Sequence, residues 1–206
     1  MKNIQKSEAF TGLEAAIVLI AFVVVAAVFS YVVLGAGFFT TQQAQKVVYS
    51  GIGQASSNLV VIGETYGDAS GTAQSGSNPG SIHTIVFTLG LAAGGTPVDL
   101  NQTVFVYENA TTLRTLDFAS NISPLAGIMP SPGQWKILSI QNGNNNTLLE
   151  PNEQFTIQAN VSTTLDSHSG IPPSDQFTLQ IRPPVGAALP LTKSAPGGIT
   201  NWNLLY

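Results

Sequence analysis

Two histidines and scattered carboxylates are the residues of this sequence that can do acid–base or metal chemistry. His83 and His168 stand apart, and neither has a neighbour at the spacing of metal ligands. Glu150 and Glu153 fall beside predicted turns, where capping and solvation explain them, and no spacing specifies a calcium loop. No G-x-S-x-G, P-loop or dinucleotide motif occurs. We therefore expect no catalytic site, metal or cofactor, and we expect the protein not to be an enzyme.

Asparagine side chains are candidates for another chemistry, covalent attachment of glycans. The pattern Asn-x-Ser/Thr occurs at Asn101, Asn109, Asn121, Asn145 and Asn160. A proline follows the sequon of Asn121, which disfavours modification, whereas Asn160 falls on the polar side of a regular alternation, which favours it. The five sequons predict a glycosylated exterior.

Glu14 is a carboxylate placed just before a long apolar run, where an acid is costly unless it is paired. The 25 residues from Ala15 to Phe39 carry no charge, and as a helix they would span about 37 Å, more than the roughly 30 Å of a hydrocarbon core. The apolar stretch of a secretory signal is only about 7–15 residues long. The run therefore predicts a membrane-spanning or otherwise buried helix, with Lys2 and Lys6 holding its N-terminus in the cytoplasm.

The helical pattern continues beyond the apolar run. Apolar residues recur at spacings of four, three, four and three, at Val48, Ile52, Ala55, Leu59 and Ile62. We therefore predict one helix over residues 10–63, too long for a single small domain to cover. The Gly- and Ser-rich stretch 67–80 is expected to be a linker that joins this helix to the first strand.

The remaining residues, 64–206, are rich in short alternating segments separated by Gly, Pro and Asn. The clearest segment places Phe155, Ile157, Ala159 and Val161 on one face. Similar segments occur at 82–89, 103–108, 111–118, 135–140 and 177–182. Trp135 is expected in the core. This pattern predicts an antiparallel, immunoglobulin-like β-sandwich, and the whole chain is α+β.

Composition restricts the class of protein. Only 9% of residues are charged and the net charge is −4, so no basic surface exists to bind nucleic acid. The absence of cysteine excludes disulfides, thiolate metal sites and cysteine nucleophiles. A surface built from Thr, Ser, Asn and Gln favours an extracellular or densely packed protein.

Residues 10–67 resemble the N-terminal helix of archaellins, the archaeal flagellins. The segment that carries the resemblance is FTGLEAAIVLIAFVVVAAVFSYVVLGAGFFTTQQAQKVVYSGIGQASSNLVVIGETYG. The distal part is similar only in class, since archaellins carry a variable β-sandwich there. The resemblance implies a structural subunit of the archaellum filament, the extracellular propeller that rotates for swimming.

The resemblance also implies that residues 1–9 form a class III signal peptide. A prepilin-type signal peptidase would cut between Ala9 and Phe10, which makes Gly12 the third residue of the mature chain and Glu14 the fifth. Ala9 replaces the glycine that is more usual in this family just before the cut. Glutamate at the fifth mature position is typical of type IV pilins and is absent from many archaellins.

The implied route begins in the membrane and ends in a polymer. After cleavage, subunits would exchange lipid for the apolar helices of other copies, or of sister archaellins, with the sandwich outside. A membrane assembly platform and a motor ATPase would be the other partners. Phe10 and Glu14 are the implied assembly residues. Glu14 would meet the new α-amino group of Phe10 or, alternatively, a hydroxyl or backbone group at the start of the helix.

Two other functions remain open on the sequence. An adhesive type IV-like pilin would share the leader and the helix but serve attachment. A membrane-anchored surface domain that binds glycans or proteins would keep its N-terminus and form no polymer.

Overall fold

The computed structural model describes residues 4–69, 80–119, 129–163 and 170–206. The chain divides into two compact units, Met1–Gly51 and Ile52–Tyr206. The first unit is helical, and the second contains the last helical turn and the β domain. The predicted α+β class is confirmed.

A single helix, α1, runs from Ile4 to Ser56. It is long and apolar enough over Gly12–Ser56 to cross a membrane, and none of its most apolar window is buried inside the subunit. The helix ends where the side chain and the backbone N–H of Ser57 both donate to the carbonyl of Gly53, at 2.8 and 3.1 Å. Ser57 thereby satisfies a carbonyl that the last turn would leave open.

The predicted helix over 10–63 was too long at its C-terminal end. Leu59 and Ile62 belong to the first strand, β1, which spans Leu59–Asp68. Two glycines in the last turns weaken the helix, and the β-branched residues that follow favour an extended chain. The predicted linker over 67–80 was also misplaced, because β1 already follows the helix and 67–68 lie within it; residues 70–79 are outside the described part.

Ten further strands follow among the described residues. They are β2 Thr84–Leu91, β3 Val98–Asp99, β4 Val104–Asn109, β5 Leu113–Phe118, β6 Gln134–Gln141, β7 Leu148–Leu149, β8 Gln154–Asn160, β9 Gln176–Arg182, β10 Leu189–Ser194 and β11 Trp202–Leu204. Nine strands form one sheet in the order β10-β9-β4-β5-β6-β8-β2-β1-β11, and β3 pairs with β7 in a small separate sheet. All pairs are antiparallel except a two-residue parallel contact between β5 and β6.

The large sheet folds over so that its two halves pack face to face. Phe105 on β4 and Phe87 on β2 are separated by three strands in the sheet, yet their ring centroids are 6.3 Å apart. Trp135 is fully buried, with its ring centroid 4.2 Å from that of Phe105. Its predicted place in the core is therefore confirmed. The side chains of both halves form one hydrophobic core.

The two outer strands of the sheet meet just beyond β11. Leu205 continues the pairing with β1 by donating its backbone N–H to the carbonyl of Thr65 at 3.0 Å. Tyr206 then exchanges two backbone hydrogen bonds with Ser194 at the end of β10. The sheet is thus closed at this point, and neither outer strand is left as a fully open edge.

Candidate assembly surface

The apolar part of α1 is the largest exposed hydrophobic surface of the described chain. Ala15–Phe39 contains no charged residue, and its large side chains are more than half exposed on consecutive positions such as Ile17, Val18, Leu19 and Ile20. Four consecutive positions cover every side of a helix with 3.6 residues per turn. A helix that is hydrophobic all round requires burial in lipid or in other protein.

The apolar surface extends slightly past Phe39 because two threonines are satisfied internally. The hydroxyl of Thr40 donates to the carbonyl of Ala36 at 2.8 Å, and that of Thr41 donates to the carbonyl of Gly37 at 2.9 Å. Such bonds hide the hydroxyl from an apolar neighbour and can bend a helix slightly. Beyond Thr41, the next polar side chains are the amides of Gln42 and Gln43. Composition alone did not separate these two kinds of polar residue.

The predicted processing and assembly residues lie on the N-terminal part of the same helix. Gly12 has open space around it and Glu14 is exposed in the subunit. Ala9 and Phe10 belong to α1, and their side chains lie outside the described part. Cleavage between Ala9 and Phe10, and a contact of Glu14 with the new amino terminus, stay predictions.

Two of the predicted glycosylation sites are exposed and lie together. Asn101 is in a short 3₁₀ helix after β3, and Asn145 is in the turn before β7. Asp99 connects them. Its carboxylate accepts a hydrogen bond from the backbone N–H of Asn101 at 2.9 Å and another from the hydroxyl of Thr147 at 3.2 Å. Thr147 is the threonine of the Asn145 sequon. One small lobe therefore presents both sequons.

The other sequons differ in access. Asn109 is half-buried; its amide oxygen accepts from the backbone N–H of Thr112 at 2.7 Å and its amide nitrogen donates to Asp175 at 3.3 Å. The expectation that Asn160 is accessible, based on its place on the polar side of the alternation, is wrong, because the residue is only 3% exposed. Its amide donates to the carbonyl of Pro130 at 2.8 Å, from a segment distant in the sequence. Asn121 lies outside the described residues.

The structure brings together a serine, a histidine and an aspartate, residue types that often act in catalysis. Their proximity was not predicted from the sequence. The Ser81 hydroxyl lies 3.4 Å from Nε2 of His83, and the backbone N–H of His83 donates to the carbonyl of Asp68. All three residues are buried, with at most 5% exposure. Burial lowers the pKa of His83, although the charge of Asp68 acts in the opposite direction. The set has no solvent-facing nucleophile and is a buried polar cluster of the domain.

The remaining acid–base candidates have structural partners. Glu153 accepts a hydrogen bond from the backbone N–H of Glu150 at 2.9 Å, which is the predicted turn-capping role. His168 lies outside the described residues. Within the described ranges, no three His, Cys, Asp or Glu side chains are grouped to hold a metal ion.

Comparison with known proteins identifies the family. A family model described as archaeal-type flagellin matches residues 9–193. "Probable flagellin 2" of Archaeoglobus fulgidus is 44% identical over 93% of this chain and 91% of its own length. "Probable flagellin 1" of the same organism is 40% identical over 100% of this chain and 98% of its own length.

A solved structure extends this similarity to three dimensions. The archaeal flagellum of Methanospirillum hungatei strain JF1 is 33% identical to this chain, covering 95% of it and 99% of its own chain with a TM-score of 0.67. Sequence and fold agree over both the helix and the β domain. The chain therefore belongs to the archaeal-type flagellin family.

Proposed function

We propose that this chain is a structural subunit of an archaellum filament on the cell surface. The observation that carries the proposal is α1, whose apolar residues from Ala15 to Phe39 are uncovered on every side. Membership of the flagellin family, and the similarity to a chain of the archaeal flagellum of Methanospirillum hungatei, support the same function.

Packing of α1 against the α1 helices of other copies would bury this surface without lipid. Each large apolar side chain transferred from water contributes about 1.5–3 kcal/mol, so a bundle of such helices is strongly favoured over exposed subunits. The contact joins different surfaces of neighbouring copies and does not close, which produces a helical polymer instead of a ring. The β domains then form the outside of the filament.

The precursor would reside in the membrane before it joins the polymer. Lys2 and Lys6 would hold the leader in the cytoplasm, and α1 is long enough to span the bilayer. A prepilin-type signal peptidase would then remove residues 1–9 by cutting between Ala9 and Phe10. Removal of the charged leader leaves an apolar N-terminal segment, which a helical bundle accepts more readily.

Glu14 would be the one carboxylate carried into this apolar environment. We propose that it pairs with the α-amino group of Phe10, on its own chain or on a neighbouring copy. A buried carboxylate is costly when alone and is tolerated when it is paired and hydrogen-bonded. The amino group appears only after cleavage, so the pairing would favour assembly of processed subunits.

Other proteins would complete the machine. A membrane assembly platform would insert subunits, and a separate motor ATPase would supply the rotation. Sister archaellins are further candidate partners in the same filament. In this scheme the chain is the propeller and performs no chemistry of its own.

The N-terminal residue of the protein in filaments sheared from cells tests this proposal, using intact and peptide mass spectrometry. We expect filaments that contain this chain beginning at Phe10, and a deletion strain that does not swim. An uncleaved chain found only in membranes would contradict the proposal and favour an anchored surface domain. A deletion strain that swims normally but no longer attaches would favour an adhesive pilin.

A further inference from the structure

The outward face of β11 carries large apolar side chains, contrary to the usual arrangement of a sheet. Trp202, Leu204 and Tyr206 are 57%, 38% and 70% exposed, whereas the alternate residues Asn203 and Leu205 are buried. Alternation along a strand therefore places the two aromatic rings and Leu204 on the solvent side.

The inward asparagine explains why this orientation is stable. The amide oxygen of Asn203 accepts the backbone N–H of Thr200 at 2.8 Å, and its amide nitrogen donates to the carbonyl of Thr200 at 2.6 Å. These bonds satisfy the buried amide locally. Together with Leu205 in the core, they hold the strand so that Trp202 and Leu204 remain outside.

The neighbouring strand extends the apolar surface. Tyr66 on β1 lies directly opposite Leu204 and is itself exposed. We call Tyr66, Trp202, Leu204 and Tyr206 the β11 stripe. Contiguous exposed apolar patches on a soluble domain often mark interaction sites.

The β11 stripe is unlike the outward faces on the other side of the domain. The outward residues of β9 include Gln180 and Arg182, which hydrogen-bond to each other, and Thr178, which bonds to Thr192 on β10. Leu113 on β5 and Val104 on β4, two other exposed apolar residues of the domain, lie on strands that do not pair with β11. The stripe is therefore a local feature and not a general property of the domain surface.

The distribution of charge over the β domain bears on which partner this surface can bind. Beyond residue 60 the sequence has nine acidic and four basic residues, so two copies of the domain repel each other. No charged side chain occurs between residues 195 and 206. On the neighbouring strand β1, Asp68, opposite Trp202, is buried, and the exposed Glu64 lies two residues from Tyr66. A contact centred on Trp202 and Tyr206 therefore lets two copies bury apolar area without placing charges of β11 against each other.

We propose that the β11 stripe is a lateral contact that binds the β domain of a second copy of this chain in the filament. The proposal rests on the filament function and adds a second interface to that of α1. Because a filament does not close, the stripe docks on a different surface of its neighbour. Trp and Tyr are the side chains that most often dominate protein interfaces.

Thermal dissociation of sheared filaments tests the contact. Filaments of the double variant Trp202→Ser/Tyr206→Ser are compared with wild type and with Leu113→Ser, which removes an exposed apolar side chain elsewhere. We expect the stripe variant to release roughly tenfold more subunit at a fixed temperature, equivalent to about 1.4 kcal/mol, and Trp202→Phe and Leu113→Ser to behave like wild type. Equal subunit release from all four filaments would overturn the proposal. Release from Leu113→Ser filaments equal to that from the stripe variant would overturn it as well.

A photo-crosslinking amino acid in place of Trp202 gives a readout that does not depend on filament strength. We expect a crosslink to a peptide of another copy of this chain, in filaments and not in detergent-solubilised subunits. Crosslinks only to lipid, or only to a different protein, would overturn the proposal. If the wild-type chain forms no filament at all, the proposed function fails; intact filaments with an uncrosslinked stripe refute this contact alone.

Discussion

Ser194 and Tyr206 exchange two backbone hydrogen bonds, of 2.8 Å from the Ser194 N–H and 3.2 Å from the Tyr206 N–H. This pair joins the end of β10 to the residue just beyond β11. In the described residues, β10 and β11 are the two outermost strands of the nine-stranded sheet. Closure removes exposed strand ends that would otherwise pair with other chains. Within the described part of the chain, the closure is confined to this residue pair at the end of β10.

Replacement of Leu205 with alanine should destabilise the β domain, because this side chain fills the core beside the closure. Leu205 is 1% exposed, and loss of a buried leucine costs about 2–5 kcal/mol. Leu204→Ala is the matched control, since its outward side chain should cost about 1 kcal/mol or less. Denaturant unfolding of detergent-solubilised full-length subunits measures both changes. Equal losses would contradict the inward and outward assignment.

The two tryptophans provide a second matched pair. Trp135 packs against Phe105 and Phe118, with ring centroids 4.2 and 4.6 Å away. Trp135→Ala should therefore lower the free energy of unfolding by about 3–5 kcal/mol, whereas Trp202→Ala should change it little in unassembled subunits. Circular dichroism melts of both variants measure the difference. A stable Trp135→Ala domain would show that this ring does not connect the two halves of the sheet.

Acidification should destabilise the β domain through His83. Burial lowers the pKa of His83 below its ordinary value of about 6.5, so the unfolded chain binds this proton more readily than the folded protein. The contribution of neutral, buried His83 to the free energy of unfolding is fully present above about pH 6.5. It is lost as the pH falls towards the pKa that His83 has in the folded protein. Nearby Asp68 opposes the shift without cancelling it.

Unfolding free energies between pH 7.5 and 5 check this prediction on solubilised subunits. The wild type should lose stability over that range, and His83→Gln should lose less, because the glutamine does not take up the proton. His168→Gln serves as the control for the other histidine. A pH slope unchanged in His83→Gln would assign the acid sensitivity to other groups.

Local residue patterns in the sequence predict the strands in which apolar residues recur between turn residues. They do not predict the elements whose position depends on contacts with residues distant in the sequence. Two segments alternate regularly and four more are short apolar runs between turn residues, and all six contain a strand in the structure. The end of α1 was misplaced because Leu59 and Ile62 satisfy a helical spacing as well as a strand. β11 was not predicted because its apolar residues face outward and its asparagine faces inward.

Access to the sequons shows the same limitation. The alternation around Asn160 correctly places Phe155 and Ile157 in the core, yet it predicts the wrong environment for Asn160 itself. The carbonyl of Pro130, 30 positions earlier, accepts its amide proton. The segment that leads into β6, which also bonds the backbone of Asn160 through Gly133, covers this side chain, and such a contact leaves no periodic signal in β8.

Glycan occupancy should follow side-chain access in the folded domain. We expect Asn101 and Asn145 to be modified, because both are exposed on the small lobe around Asp99, and Asn160 to be unmodified, because its amide is buried and hydrogen-bonded. Glycopeptide mass spectrometry of sheared filaments measures occupancy at each sequon. Full modification of Asn160 would mean that transfer precedes folding of β8.

Replacement of Glu14 tests whether its charge is needed for assembly. If the carboxylate pairs with the α-amino group of Phe10, both Glu14→Ala and Glu14→Gln should reduce filament yield to near zero, because neither retains the charge. A hydrogen bond to Thr11 or to backbone groups would instead tolerate glutamine. Glu64→Ala, which removes an exposed glutamate on β1, is the control.

The amount of this chain in sheared filaments, divided by the amount of cleaved chain in membranes, is the quantity to measure. This ratio separates assembly from processing, since a variant that the peptidase fails to cut lowers both amounts of mature protein. Wild-type assembly by Glu14→Ala would contradict any pairing of the carboxylate. Loss in the alanine variant with recovery in the glutamine variant would move the partner from the Phe10 amino group to a neutral donor at the helix start.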